Sequence, residues 1–133
     1  MKKIATTISY LLANVPREII NRANNYTPQL VRFRNNKWVF IVGDYLVNIK
    51  VPKVAQKKKI KLKNRDVLVS CTCDFWKYNG PDYNADNEGY SERVYSNLSE
   101  PQQKDPQNKY LICKHVCSAL KTVIDNFSDE NLK

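Results

Sequence analysis

The spacing of apolar residues predicts two short helices at the start of the chain. Between residues 2 and 15, apolar side chains recur every three or four positions, so they form one stripe of an amphipathic helix. Pro16 is expected to break or restart this helix, and residues 17–24 carry a second helical pattern that ends before Tyr26. We therefore predict an N-terminal helical segment over residues 1–27.

The pattern changes at residue 30 to short runs of β-branched and aromatic residues. Three runs cover residues 30–34, 37–42 and 45–51, and the pairs Asn35-Asn36 and Gly43-Asp44 between them suit tight hairpin turns. Two further runs, 60–63 and 66–73, follow a lysine-rich link, with Asn64-Arg65 as the turn between them. The pattern predicts an antiparallel meander of four to five strands.

The last third of the chain predicts a long loop followed by a helix. Residues 77–109 combine glycine, proline and many polar residues with few aliphatic ones, whereas apolar residues return at helical spacing over 113–126. The predicted fold class is α+β, with N-terminal helices, the meander, the loop and a C-terminal helix. We divide the chain into the helical segment 1–27 and a domain over 28–133 with the inserted loop 77–109.

Composition and charge narrow the function classes. The 133 residues are one domain's length, too short for a catalytic scaffold with separate cofactor and substrate domains. No run of 18 apolar residues and no secretory cleavage pattern is visible, so we expect neither a membrane span nor secretion. The net charge of +9 favours partners that are phosphate polyanions or acidic protein surfaces.

The cysteines and the single histidine fall into two tight clusters. Cys71 and Cys73 close the last predicted strand, and Cys113 and His115 open the last predicted helix. Three thiolates and one imidazole form a tetrahedral donor set typical of structural zinc, with no position left for water. Closing the intervening loop costs about 4 kcal/mol, whereas structural zinc contributes about 10 to 16 kcal/mol. We predict one zinc ion here; the alternatives are two disulfides, which need an oxidising compartment, or four buried thiols.

These residues also carry a family resemblance. Cys71-x-Cys73, a long insert and Cys113-x-His115 at a helix start resemble the SWIM-type zinc finger, as do Asp74-Phe75 after the first pair and the Cys-Lys-His-Val start of the helix. The resemblance covers residues 38–126 and implies a strand-strand-helix unit with one structural zinc. The family includes small stand-alone proteins of tailed bacteriophages, and DNA-binding or protein-binding roles have been proposed for its members.

Two features depart from the family pattern: the length of the insert and the additional Cys117. Cys117 lies one helical turn after Cys113, so it is an alternative metal ligand in place of His115. The CxH pattern favours His115, which leaves Cys117 as a small buried residue of the helix.

We expect no enzymatic activity, because a zinc-bound thiolate is a poor nucleophile and no second histidine exists to act as a base. The expected function is a non-catalytic, zinc-stabilised interaction module. Its concrete form is a structural component of a larger assembly such as a phage virion, head- or portal-associated, with no membrane or small-molecule partner. The location is then a virion or a reducing cytoplasm. The alternative is a free-standing DNA-binding or regulatory zinc-finger protein.

Two sets of residues are candidates for partner contacts. The stretch 50–65 has no acidic residue and predicts nucleic-acid binding, although the same lysines also suit a solvated sheet edge. Its candidates are Lys53, Lys57, Lys58, Lys59, Lys61, Lys63 and Arg65. Aromatic side chains in a polar loop supply large contact area to a protein partner. These candidates are Trp76, Tyr78, Tyr83, Tyr90 and Tyr95.

Overall fold

The structure is a computed structural model that describes residues 6–52, 61–73, 76 and 111–128. The helices among these residues are α1 (Ile8–Ala13), α2 (Arg17–Ala23) and α3 (Lys114–Asn126). The strands are β1 (Gln29–Arg34), β2 (Lys37–Val42), β3 (Tyr45–Lys50) and β4 (Leu68–Cys71). The predicted α+β class, with a C-terminal helix, is confirmed.

The two N-terminal helices follow from local capping and from proline. The Thr7 hydroxyl accepts a hydrogen bond from the Tyr10 N–H at 3.0 Å and so caps the start of α1. Pro16, with φ −58°, directly precedes α2, which is the restart that the sequence predicts. Residues 2–5 of the first predicted helix lie outside the described residues.

The four strands form one antiparallel sheet in the order β1-β2-β3-β4. Asn35 and Asn36 both take positive φ in the first hairpin, and Gly43 takes φ +62° in the second. Both turns lie where the sequence places them, and a bulge between Leu30 and Arg32 shifts the register at the start of β1. The predicted meander is therefore present, with four strands.

The chain between β3 and β4 differs from the prediction of a strand at 60–63. Leu62–Asn64 form a short 3₁₀ turn in which Leu62 is buried and contacts α1. An isolated bridge between Thr7 and Asp66 fixes the chain immediately afterwards. Within the described residues, this part of the connection is held by the buried Leu62 and by the hydrogen bond from the Arg65 side chain to the Pro52 carbonyl, without strand pairing at 62–64.

The core lies between the inner face of the sheet and the helices. Alternate residues of β2, β3 and β4 point inward and are buried, and α3 covers them while also packing on α2. The buried residues of this layer include Trp38, Phe40, Val47, Ile49, Val69, Val116, Leu120 and Val123. The end of β4 and the start of α3 therefore meet on the same inner side. Within the described ranges, no helix has the length and apolarity to cross a membrane.

Candidate metal centre

Strand alternation brings the first cysteine pair to the inner side of the sheet. Beyond Cys71, Thr72 continues the pairing with β3: its N–H donates to the Leu46 carbonyl at 3.1 Å, and its hydroxyl accepts from the Leu46 N–H at 3.0 Å. Thr72 is exposed, whereas Cys71 and Cys73 on either side of it are buried. A spacing of one residue therefore directs both thiols to one site.

The start of α3 supplies the second pair. Cys113 is the N-cap residue, and its Sγ accepts a hydrogen bond from the Val116 N–H at 3.5 Å. His115 lies in the first turn and is buried. The partial positive charge of a helix N-terminus favours the thiolate form of a cysteine at this position.

Donor atoms of Cys71, Cys73, Cys113 and His115 all lie within 4.8 Å of one another, and all four residues are buried. The Sγ of Cys71 is 3.9 Å from Nδ1 of His115. Zinc bonds of about 2.3 Å to sulfur and 2.0 Å to nitrogen at tetrahedral angles separate those two atoms by about 3.5 Å. This one compact Cys₃His cluster is consistent with a single structural zinc ion. Cys117 is also buried but is not a member of the cluster.

Backbone hydrogen bonds orient two of the sulfur atoms. The Trp76 N–H donates to Cys73 Sγ at 3.3 Å, as the Val116 N–H does to Cys113 Sγ. Such bonds hold a metal-binding thiolate in place and offset part of its negative charge.

The protonation of the thiols shows why the cluster suits a divalent cation. Hydrogen bonds from Cys113 and Cys71 lower the pKa of Cys73, whereas burial raises the pKa of Cys113 well above its ordinary value. The hydrogen bond with Cys113 lowers the pKa of Cys71, but hydrogen bonding to Cys73, burial and the charge on Cys73 together raise it to about 12. These opposite shifts favour ionisation of Cys73 before the other two thiols of the cluster. A bound divalent ion permits the other two thiols to ionise.

His115 is held between two tyrosine rings. Its ring centroid lies 5.0 Å from that of Tyr26, edge to face, and 4.9 Å from that of Tyr45. Its Nε2 is buried and has no hydrogen-bond partner in the described part of the chain. An unpaired buried nitrogen costs about 1–3 kcal/mol, whereas Nδ1 is the ring nitrogen that lies 3.9 Å from the Cys71 thiol. The sequence pattern did not identify either tyrosine, because both come from outside the two ligand clusters.

The described residues of the predicted basic stretch differ in their exposure to solvent. Lys61 and Lys63 are exposed. Arg65 is buried, and its Nη2 donates to the Pro52 carbonyl at 3.1 Å. Arg65 therefore fixes the chain at Pro52 and does not present its charge to a ligand, which corrects its assignment as a nucleic-acid contact. The predictions for Lys53, Lys57, Lys58 and Lys59 fall outside the described residues.

Trp76 differs from its predicted role as a partner contact. Its side chain is only 2% exposed and belongs to the core, next to the thiol that its backbone binds. The polar sequence around it predicts a surface position, whereas its side chain is buried and its backbone N–H bonds to the buried Cys73 thiol. The predictions for Tyr78, Tyr83, Tyr90 and Tyr95 fall outside the described residues.

The resemblance to the SWIM-type zinc finger thus rests on the ligand pattern and its strand and helix context. Comparison with protein-family models, with curated proteins and with solved structures finds no match to this chain.

Proposed function

We propose that this chain is a non-catalytic interaction module in which one zinc ion fixes the C-terminal helix to the end of the sheet. The observation that carries the proposal is the buried cluster of Cys71, Cys73, Cys113 and His115. Four protein donors fill a tetrahedral coordination sphere, so no position remains for a substrate or an activated water. Such a site stabilises structure rather than performing chemistry.

The remaining thiol supports a non-catalytic role. Cys117 is buried, and burial raises its pKa to about 11, with a small opposing effect of the Lys121 charge. A buried neutral thiol is a weak nucleophile. His115, the single histidine of the chain, belongs to the cluster and is not free to act as a base for it.

The finer part of the proposal concerns the partner. A zinc-fixed helix provides a surface for other proteins, and tyrosines such as those in the sequence segment 77–109 are residue types that suit contacts with a protein partner. The assembly that we propose is a tailed-phage virion, with the chain as a head- or portal-associated component. This choice draws on the resemblance of the CxC and CxH pairs to SWIM-like phage proteins.

The zinc assignment is tested by two matched alanine variants. Cys73→Ala is expected to lose stoichiometric zinc, measured by elemental analysis of purified protein, and to lose the visible thiolate absorption of the cobalt-substituted form. Cys117→Ala, which removes an equally buried thiol from the same core, is expected to keep one equivalent. Zinc loss in Cys117→Ala, or a cobalt spectrum that shows a bound exchangeable water, would overturn the assignment.

The partner assignment is tested by incorporation into the assembly. Tyr83→Ala, Tyr90→Ala and Tyr95→Ala are expected to prevent co-sedimentation of the zinc-loaded chain with the particle that contains it. Tyr10→Ala is the control, because Tyr10 is also an exposed tyrosine but lies on α1, outside the loop. Normal incorporation of the three loop variants would refute this part of the proposal while leaving the zinc site intact.

A further inference from the structure

The face of the sheet that points away from the helices carries a concentration of positive charge. Near the β1–β2 hairpin an open concavity of about 320 Å³ lies on this outer face. Its lining residues are Arg32, Arg34, Asn35, Lys37, Val39 and Lys50. Four of the six are cations, and none of the six is acidic.

Strand register explains how these cations come together. Arg34 pairs with Lys37 across β1 and β2, and Lys37 pairs with Lys50 across β2 and β3, so three cations cross three strands in one row. Neighbouring strands lie about 4.8 Å apart, and like charges placed directly opposite destabilise a sheet. A bound anion would relieve this repulsion.

Among the residues that the structure describes, three of these four cations have no acidic partner. Arg32, Arg34 and Lys50 are exposed, and none of them forms an ion pair with another residue in the ranges that the structure describes. The guanidinium and ammonium groups of these residues are therefore available to a ligand. The nearby Asn35 adds an amide donor at the tip of the hairpin.

We propose that this concavity binds consecutive phosphate groups of a nucleic-acid backbone. Arg32 and Arg34 lie two residues apart on one strand and face the same side, so their Cα atoms are separated by about 6.8 Å. That separation is comparable with the spacing of successive phosphates along a nucleic-acid strand. Arginine also binds phosphate oxygens through two parallel hydrogen bonds, so the contact has a defined geometry in addition to the attraction between opposite charges.

The site is distinct from both the zinc centre and the basic stretch 50–65 beyond Lys50. The zinc cluster lies on the inner face, so the nucleic-acid site needs the folded sheet but uses no zinc ligand. Arg32 and Arg34 lie in β1 and would make contacts that the lysine-rich segment does not supply. The two proposals can therefore fail independently.

The test measures binding of zinc-loaded full-length protein to a labelled duplex and a labelled single strand by fluorescence anisotropy. Three phosphate contacts, from Arg32, Arg34 and Lys50, give a log-log salt slope of about −2.7 for duplex, so affinity falls about 40-fold between 50 and 200 mM salt. The double variant Arg34→Gln/Lys50→Gln is expected to bind at least 10-fold more weakly at low salt, with the slope reduced by about two.

Two controls remove the same charge from other places. Arg17→Gln/Arg22→Gln lowers the net charge equally on exposed positions of α2, in the helical layer. Lys61→Gln/Lys63→Gln does so at the exposed lysines of the 3₁₀ turn. Both controls are expected to keep affinity within about threefold of the unmodified protein, with zinc content and melting temperature checked for every variant.

A second measurement does not depend on any variant. Titration of isotope-labelled protein with the unlabelled duplex is expected to give its largest amide shifts at residues 32–39 and at Lys50. Equal weakening by all three double variants, largest shifts at Lys61 and Lys63, or the absence of salt-dependent binding would overturn the proposal. Competition by polyglutamate as strong as that by DNA would also overturn it, in favour of an acidic protein partner.

Discussion

Gly43 connects a hairpin turn to the metal centre through one aromatic ring. Its φ of +62° suits glycine, and an added Cβ would lie 3.1 Å from Cε1 of Tyr26, whose ring packs on His115. Gly43→Ala therefore strains the backbone and displaces Tyr26. We expect a loss of about 1–2 kcal/mol in the free energy of unfolding of zinc-loaded protein, measured by denaturant titration.

The neighbouring Asp44→Ala is the control for this prediction, because Asp44 is exposed in the same turn and has ordinary backbone geometry. Its effect is expected to stay within about 0.5 kcal/mol. A Gly43→Ala protein as stable as the Asp44→Ala protein would show that Tyr26 moves aside without cost and that the turn tolerates a side chain.

The thiols of the cluster make zinc affinity depend on pH. In the metal-free fold the pKa of Cys71 is raised to about 12 and that of Cys113 is raised well above its ordinary value, whereas that of Cys73 is lowered. Between pH 7 and 9, zinc must therefore displace two protons, from Cys71 and Cys113. Apparent affinity is expected to rise about 100-fold for each pH unit across this range.

Competition with a chelator of known pH dependence measures this slope. A slope of one proton or fewer would mean that a second thiol is already ionised before the metal binds, which contradicts the raised pKa values of Cys71 and Cys113. The comparison needs only wild-type protein, because the pH itself supplies the perturbation.

At the scale of the element, α3 is held both by its core face and by the cluster at its start. Leu120 is fully buried on that face, two turns from the metal centre. Leu120→Ala is expected to cost about 2–5 kcal/mol of stability, through lost burial and the cavity that it leaves. The exposed Asp125 on the same helix supplies the control, since Asp125→Ala is expected to change stability by less than about 0.5 kcal/mol.

Urea unfolding of the two variants at saturating zinc measures the difference. Equal stabilities would contradict the packing of α3 on the sheet and would leave the metal cluster as its main attachment. A zinc content of one equivalent in both variants is expected, because neither residue touches the cluster.

The elements with strong alternation could be predicted from the sequence with accurate bounds. Trp38, Phe40 and Val42 alternate with less buried residues, and the strand begins and ends at the predicted residues 37 and 42. Lysine also alternates with Ile60 and Leu62, and this pattern led to the wrong prediction of a strand at 60–63. A connection with one buried leucine has the same sequence pattern as a short strand. Alternation over so few residues does not report whether a pairing partner exists.

Only part of the candidate site could be predicted from the sequence, because several of the residues around it are far from the ligands along the chain. One-residue spacing in a strand and at a helix start identified the four cluster residues. The row of Arg34, Lys37 and Lys50 depends on strand register, and the two tyrosines around His115 come from a hairpin and from the link between α2 and β1. Residue pattern alone does not encode register across three strands.

At the scale of the whole molecule, the two faces of the sheet carry different chemistry. The inner face holds the core, the helices and the metal cluster, whereas the outer face holds the basic concavity near the first hairpin. The metal cluster and the concavity therefore share the sheet but have no residue in common. Zinc is expected to support ligand binding through the fold without touching the ligand.

The zinc contribution to global stability gives a test that involves the whole chain. A ligand that binds only the folded state adds about 2.7 kcal/mol at 100 times its dissociation constant and about 1.4 kcal/mol for each further tenfold rise. Melting temperature is therefore expected to increase steadily with buffered free zinc, by about 4 °C for each kcal/mol in a domain of this size. Magnesium, which prefers oxygen ligands, is expected to have no such effect, and Cys73→Ala should remove the zinc dependence. A wild-type melting temperature that does not change with free zinc concentration would mean that the cluster is a group of buried thiols, since a metal bound to the folded state must raise its stability.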